Sequence, residues 1–462
     1  MVTREGFKQV VNNAFAGMGF GTEGPMCIYP NHMFLQGSNL TPVKENIDKI
    51  IHRLTKWEPK QKKEGVFAPP KVTVIGKDYD EAVASMNAMY LKKMWGDGLP
   101  LLPPTEERVN WILTGTDLPR DKVIDKILPR GGICSVEGLA VILAMAGGRP
   151  EYLPVLIAAV EALVSSTYEG WQAATGHEFP AVVVNGPIAK QIRLNSGYGC
   201  LGPSSVYPAG GSIGRAFRFV LQNIGGAIPG TGTMSIYGPM RYTNSVFAED
   251  EDGIPPGWQP LNAEFGFARG TNTITLFVPH GVADLMTVEA GYSSPREANL
   301  SFLDMFATYM AVPDFLYAFG RDDILAGELL LGRNRAKAIV DELGWTKKDV
   351  QKYLWEKSKV PWSTIEKTFS AGYIENAVKN AKPYWPLARG ESWPITARPE
   401  NIIIIVAGGA QSGHSCLLMG SMDGISVPPP VNEIKLPAKA KWDALLGQAE
   451  KDLGPLPADQ EL

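Results

Sequence analysis

Cysteine and histidine are scarce in this chain of 462 residues, which holds four of the first and five of the second. The cysteines, Cys27, Cys134, Cys200 and Cys416, lie far apart, with no Cys-x-x-Cys pair and no zinc-type spacing. That excludes a disulfide framework and gives no ground to expect a metal. Charge of one sign is lacking too: 44 Lys and Arg against 48 Asp and Glu leave a net −4. The basic residues are scattered apart from short clusters such as Lys60 to Lys63, so nucleic acid is not expected as a partner. No apolar run approaches the roughly 20 residues that span a bilayer, and the opening MVTREGFKQV has no signal-peptide core. The expectation is a cytoplasmic protein with no membrane partner.

What is plentiful is glycine, at 49, and proline, at 36, on a background that is 45% hydrophobic. Such a chain buries a substantial core and ordinarily divides into two or three domains. The pattern predicts an α/β fold of mixed or parallel sheets with covering helices and long glycine- and proline-rich loops. Residues 1–58 read as a small helix-strand-helix unit, residues 59–71 as a linker, 72–427 as the main α/β domain with room for two lobes, and 428–462 as a C-terminal arm that wraps a neighbour. The first unit reads as a helix from Arg4 to Met18, a strand at Met26 to Tyr29 and a helix opened by Thr41-Pro42. A lone strand leaves its backbone unpaired, so a sheet from elsewhere must complete it.

The stretch from Ala181 to Gly226 concentrates the features of a binding site. It runs from a β-branched strand through Asn185-Gly-Pro187 and a glycine-rich loop with Gly199 and Cys200 to a helix that begins near Ser212. Open α/β sheets bind ligands at such strand ends, where free N–H groups and helix termini converge. The glycine spacing matches neither a dinucleotide fingerprint nor a P-loop. Cys200 reads either as a reactive thiol or as a small packing residue. A second unit of the same kind is Asn401 to Cys416, a buried strand followed by a glycine turn that carries Ser412, His414, Ser415 and Cys416. His414 is the best acid–base candidate in the chain, with Cys416 as the adjoining thiol. The two units are expected to face each other across one cleft.

Four further sites invite a functional reading. The loop from Trp95 to Thr105 carries Asp97, and Arg108 follows it; they can meet a ligand or form a surface ion pair. Glu137, in an otherwise apolar helix, reads as a general acid or base, as a clamp for a basic group such as Arg149, or as a helix-start glutamate. His177, just ahead of the strand at Ala181, is a further proton-carrier candidate, and Glu249 stands before an acidic excursion and can face the site.

The segments Trp95-Gly-Asp-Gly-Leu-Pro-Leu-Leu-Pro-Pro-Thr-Glu-Glu-Arg, Ala144-Met-Ala-Gly-Gly-Arg-Pro-Glu-Tyr-Leu-Pro, Val184-Asn-Gly-Pro-Ile-Ala and Ile405-Val-Ala-Gly-Gly with Gly413-His-Ser resemble the large domain of the UGSC-like (seleno)protein family. The resemblance covers most of residues 72–425, and residues 4–57 resemble the second half of the family's N-terminal domain. That family is named for a Sec/Cys-Gly-Ser-Cys motif, which this sequence does not contain. Gly147 also stands where relatives are expected to carry cysteine. The resemblance implies a split enzyme: a large subunit in a hetero-oligomer, with a small UGSC-like partner bringing the reactive cysteine or selenocysteine as the only implied cofactor. A small organic molecule is the implied substrate, with redox or C–S/C–X bond chemistry as an oxidoreductase or lyase. The alternative is a non-catalytic scaffold or binding subunit for such a partner.

Overall fold

The computed structural model describes residues 2–17, 25–35, 37–58, 71–166, 178–233, 235, 245–287, 291–312, 326–368, 371–372, 392–411, 413–420 and 428–456. The strands in chain order are β1 (Val2–Arg4), β2 (Cys27–Tyr29), β3 (Val123–Ile127), β4 (Gly132–Ser135), β5 (Ala181–Asn185), β6 (Ser245–Ala248) and β7 (Thr273–Phe277). They continue with β8 (Gly281–Met286), β9 (Gly327–Leu331), β10 (Val360–Pro361), β11 (Ser392–Trp393), β12 (Ile402–Val406), β13 (His414–Met419) and β14 (Val431–Glu433). Two four-stranded mixed sheets dominate, one ordered β14-β7-β5-β6 and the other β12-β9-β13-β8. The α/β class expected from the sequence is the one observed.

Side-chain alternation explains how the sheets stack. In the first sheet Val182, Val184, Val246, Ala248, Ile274 and Leu276 face one core, which the helices Val136–Met145, Leu153–Val164 and Ala209–Phe219 cover. The opposite-facing Ala181, Val183, Phe247 and Phe277 pack in one cluster with Leu330, Ile403, Ile405 and Leu418 of the second sheet. The second sheet turns Leu329, Leu331, Ile402, Ile404 and Leu417 to another core beneath the helices Pro295–Met310, Arg333–Leu343 and Lys347–Lys357. The result is four layers, helix, sheet, sheet and helix. Both β5 and β12 are therefore buried on two faces, which is why they read as unbroken β-branched runs.

The main body thus forms around a shared inter-sheet layer in place of two separable lobes. Thr105 and Thr346, each a threonine just ahead of a helical pattern and so readable as an N-cap, cap their helices, the latter in a reciprocal capping box with Asp349. Val72-Thr-Val-Ile75, whose β-branched run reads as a short strand, is irregular and mostly exposed. Most of Thr233 to Tyr237, another run that reads as a strand, lies outside the described residues, as do the linker at 59–70, His177 and Ser412.

The N-terminal unit differs from its sequence reading. Val2–Arg4 forms a strand that pairs in parallel with β2, Val2 opposite Cys27 and Arg4 opposite Tyr29. A three-residue strand is too short to carry a periodic signal, so the pattern began with the helix Lys8–Gly17. Among the described residues the sheet is two strands wide. The C-terminal segment does not reach outward either: β14 pairs with β7, and Trp442 of the helix Lys439–Leu453 enters the first core. Arg149 binds Asp452 at 2.8 Å, which ties that helix down.

Candidate functional site

The parallel strands β5, β6, β9 and β12 end at one pole of the stack. The backbone of Asp250 donates to Val406 O at 2.7 Å, so the end of β6 meets the end of β12. Gly408 N donates to Ser196 O at 2.8 Å. A side chain at Gly409 would collide with the ring of Tyr198, whose carbons lie 2.2 Å from the position of an added Cβ. The two glycine loops of the sequence reading therefore touch. They pack closely, which accounts for the absence of a Cβ at Gly409, while Gly199 and Gly408 serve by their backbone, at φ of +71° and +104°.

Beneath the loops lies a buried polar cluster. Glu249 Oε2 accepts from Asn185 Nδ2 and from Leu261 N, both at 2.7 Å. Lys347 Nζ stands 3.8 Å from Glu249 Oε1 and 3.1 Å from Glu264 Oε1. Burial pushes the Glu249 and Glu264 carboxyls up, and Lys347 pulls them partly back. Glu249 Oε1 also lies 3.5 Å from Val406 N, and Gln351 Nε2 donates to Ile402 O at 2.8 Å. Since β12 is the edge strand of its sheet, these contacts close an otherwise open edge. Glu249 and Asn185 consequently join the two sheets.

The surface of the same pole holds the arrangement best suited to chemistry. His414 Nδ1 lies 3.2 Å from both carboxylate oxygens of Asp284, and both side chains are more than half exposed. The register places Asp284 opposite Cys416 and His414 opposite Met286. His414 and Cys416, two residues apart, share one face of β13, and Cys416 packs on the inter-sheet core. Imidazole, carboxylate and thiol thus stand together where β13 meets the edge strand β8.

Comparison of the chain with protein-family models, with curated proteins and with solved structures gave no match.

The other sequence candidates distribute as follows. Ser415 alternates to the opposite face of β13, where it is buried and donates to His414 O at 2.8 Å. Cys200 is buried in the inter-sheet core, the packing alternative of its two readings. Ser212 sits half-buried in the first turn of the helix Ala209–Phe219, its N–H donating to Pro208 O at 3.2 Å. Asp97 takes Arg215 in a bidentate pair at 2.8 and 2.9 Å, anchoring the proline-rich loop to that helix. Arg108 lies half-buried in the first turn of the helix Glu106–Leu113, its N–H capped by Thr105 at 3.3 Å. Glu137 pairs with Arg120, not with Arg149, because Arg149 is engaged by Glu151 at 2.5 Å and by Asp452.

Among the described residues no group of three or more His, Cys, Asp or Glu side chains could hold a metal ion. All four cysteines lie outside disulfides. No helix of the described residues is long and apolar enough to cross a membrane. Asp284 went unnoticed in the sequence, although an acid inside the alternating run Gly281–Met286 marks the solvent face of an edge strand.

Proposed function

We propose that this chain is the large subunit of a hetero-oligomeric enzyme that acts on a small organic molecule by thiol- or selenol-dependent chemistry, its own surface site being His414, Asp284 and Cys416. The observation that carries the reading is the contact of His414 Nδ1 with Asp284 beside the half-buried thiol of Cys416. A carboxylate on Nδ1 fixes the imidazole tautomer and leaves Nε2 to exchange protons. Residues two apart on a strand are separated by about 7 Å, a span that one bridging water or a substrate atom closes.

The partner's part of the reading draws on the N-terminal unit. Among the described residues its parallel two-stranded sheet has no further strand at either outer edge, and Ile47, Ile51 and Leu54 are about half exposed or more on the helix Ile47–Thr55. Parallel strands are ordinarily covered on both faces, so another chain that adds strands and apolar cover suits this unit.

Alkylation of Cys416 by iodoacetamide, read by peptide mass spectrometry, tests the site without a known substrate. We expect Cys416 to react at least tenfold faster than Cys200 and Cys134 at pH 7.5, and His414→Ala or Asp284→Asn to slow it several-fold with Cys200 unchanged. Equal rates in the parent and His414→Ala proteins would remove the thiol–imidazole assignment and favour a non-catalytic binding subunit. Native mass spectrometry of the protein from its own cells tests the partner: a complex with a smaller chain is expected, and a monomer overturns that half of the reading.

A further inference from the structure

The second sheet ends at β8, and among the described residues no strand lies on its outer side. Backbone bonds fix which of its groups face that side. Thr287 N donates to Gly413 O at 2.8 Å and continues the ladder in register, so Gly281, Ala283 and Leu285 are the residues that bond to β13. The other flank of β13 agrees. There Gly420 N donates to Ala326 O at 3.3 Å, which gives the alternate residues His414, Cys416 and Leu418 to β9. The N–H and C=O groups of Val282, Asp284 and Met286 therefore point away from the sheet.

An open edge of this length is a template for another strand unless a lysine, a proline or a bulge blocks it. β8 has none of these: its register with β13 is unbroken, and its single charge is Asp284. The side chains of Val282, Asp284 and Met286 lie on the face that bears His414 and Cys416, and those of Asp284 and Met286 are largely exposed. The edge is thus continuous with the proposed site, because Asp284 holds His414 and stands in the middle of the outward-bonding residues.

Asp284 also decides what the edge accepts. In a two-fold antiparallel pairing of β8 with the same strand of a second copy, every register that joins five or more of its residues sets the two Asp284 side chains directly opposite or diagonal to each other on one face. Like charges so placed destabilise a pair, whereas a cation across from Asp284 stabilises it. We propose that the outer edge of β8 is the docking site of the smaller chain, which adds an extended segment to the second sheet with a lysine or arginine across from Asp284 and apolar residues against Val282 and Met286. This rests on the reading of the protein as one subunit of a hetero-oligomer. Main-chain hydrogen bonds supply the affinity of such a strand and the order of its side chains supplies the specificity. It brings the partner's side chains next to Asp284, and so beside His414.

Two measurements test this. The first adds a capped synthetic peptide, Thr-Val-Thr-Lys-Thr-Val-Thr, or the same peptide with glutamate at its centre, to the whole protein. The lysine peptide is expected to bind about fivefold more tightly by calorimetry and to slow hydrogen exchange at the Val282, Asp284 and Met286 amides, and Asp284→Lys is expected to reverse the preference. No binding at millimolar peptide, equal affinity for the two peptides, or binding that leaves those amides unchanged overturns the proposal while the hetero-oligomer reading stands. The second measurement compares exchange at the same amides in the complex isolated from the protein's own cells and in the free chain, with several-fold slowing expected in the complex. A complex in which they exchange as in the free chain removes the docking site alone; the absence of any complex overturns the subunit reading and the proposal with it.

Discussion

Replacing Glu328 by glutamine is expected to make the protein more stable at alkaline pH and to leave it nearly unchanged in mild acid. The carboxyl is held up to about 8 by burial, against its ordinary value of 4.5. Because the folded state retains the proton longer than the unfolded chain does, unfolded molecules bind fewer protons between those two values. Stability therefore falls as pH rises through that window. The interval of 3.5, which is 8 minus 4.5, corresponds at about 1.4 kcal/mol per pH unit to roughly 5 kcal/mol by pH 9. Glutamine does not ionise, so urea unfolding should show the variant gaining by several kcal/mol at pH 9 and by less than about 1 kcal/mol at pH 5. A flat difference between the two proteins across pH 5–9 would mean that Glu328 ionises no differently when folded. A gain this large from one core residue is unusual, since most substitutions destabilise.

The sequence made the strands with the strongest patterns legible and hid the ones whose role depends on neighbours. Ala181–Asn185 and Ile402–Val406 announced themselves as buried strands because five apolar or β-branched residues in a row have no other stable home. Gly327–Leu331 was not read as a strand, since a glutamate in its second position breaks the pattern, and that same glutamate is the one that burial holds up to about 8. Val2–Arg4 was missed for its length. The two glycine loops read as opposite walls of one cleft, whereas Gly408 and Ser196 are in direct hydrogen-bond contact: both follow strands that end at one pole, and the loops pack on each other there. Asp284 was not foreseen, because its significance lies in the pairing of β8 with β13, a register that local sequence does not encode. The same holds for Asp97 and Glu137. Asp97 reads as a ligand contact or one half of a surface ion pair and Glu137 as an acid–base group, a clamp or a helix-start glutamate; their partners, Arg215 and Arg120, are supplied from 118 and 17 residues away.

Glu249→Ala is expected to be the most damaging single substitution at the junction of the sheets. The side chain is wholly buried, and its loss orphans the N–H of Leu261, weakens the hold on the Asn185 amide and leaves Lys347 with Glu264 alone. Breaking a buried charged cluster from one side costs on the order of 3–5 kcal/mol. Lys347→Met should cost less, about 1–2 kcal/mol, for a physical reason visible in the carboxyl itself. Burial already pushes Glu249 up against the pull of Lys347, so without the lysine it takes a proton and keeps its acceptor contacts with Asn185 and Leu261. Glu249→Ala, by contrast, removes one of the two carboxylates beside the buried Lys347 and both acceptor contacts at once. The asymmetry should grow with pH, because proton uptake by Glu249 becomes harder as the solution turns alkaline. Urea unfolding of both variants at pH 6 and pH 8.5 checks this. Equal costs for the two would show that the pair acts as an isolated salt bridge, and a loss below 1 kcal/mol for Glu249→Ala would show that the sheets are held together by the apolar layer alone. With the expected ordering, the polar cluster at the strand ends is what fixes the second sheet against the first, and so fixes where His414 and Cys416 stand relative to the loop at Tyr198.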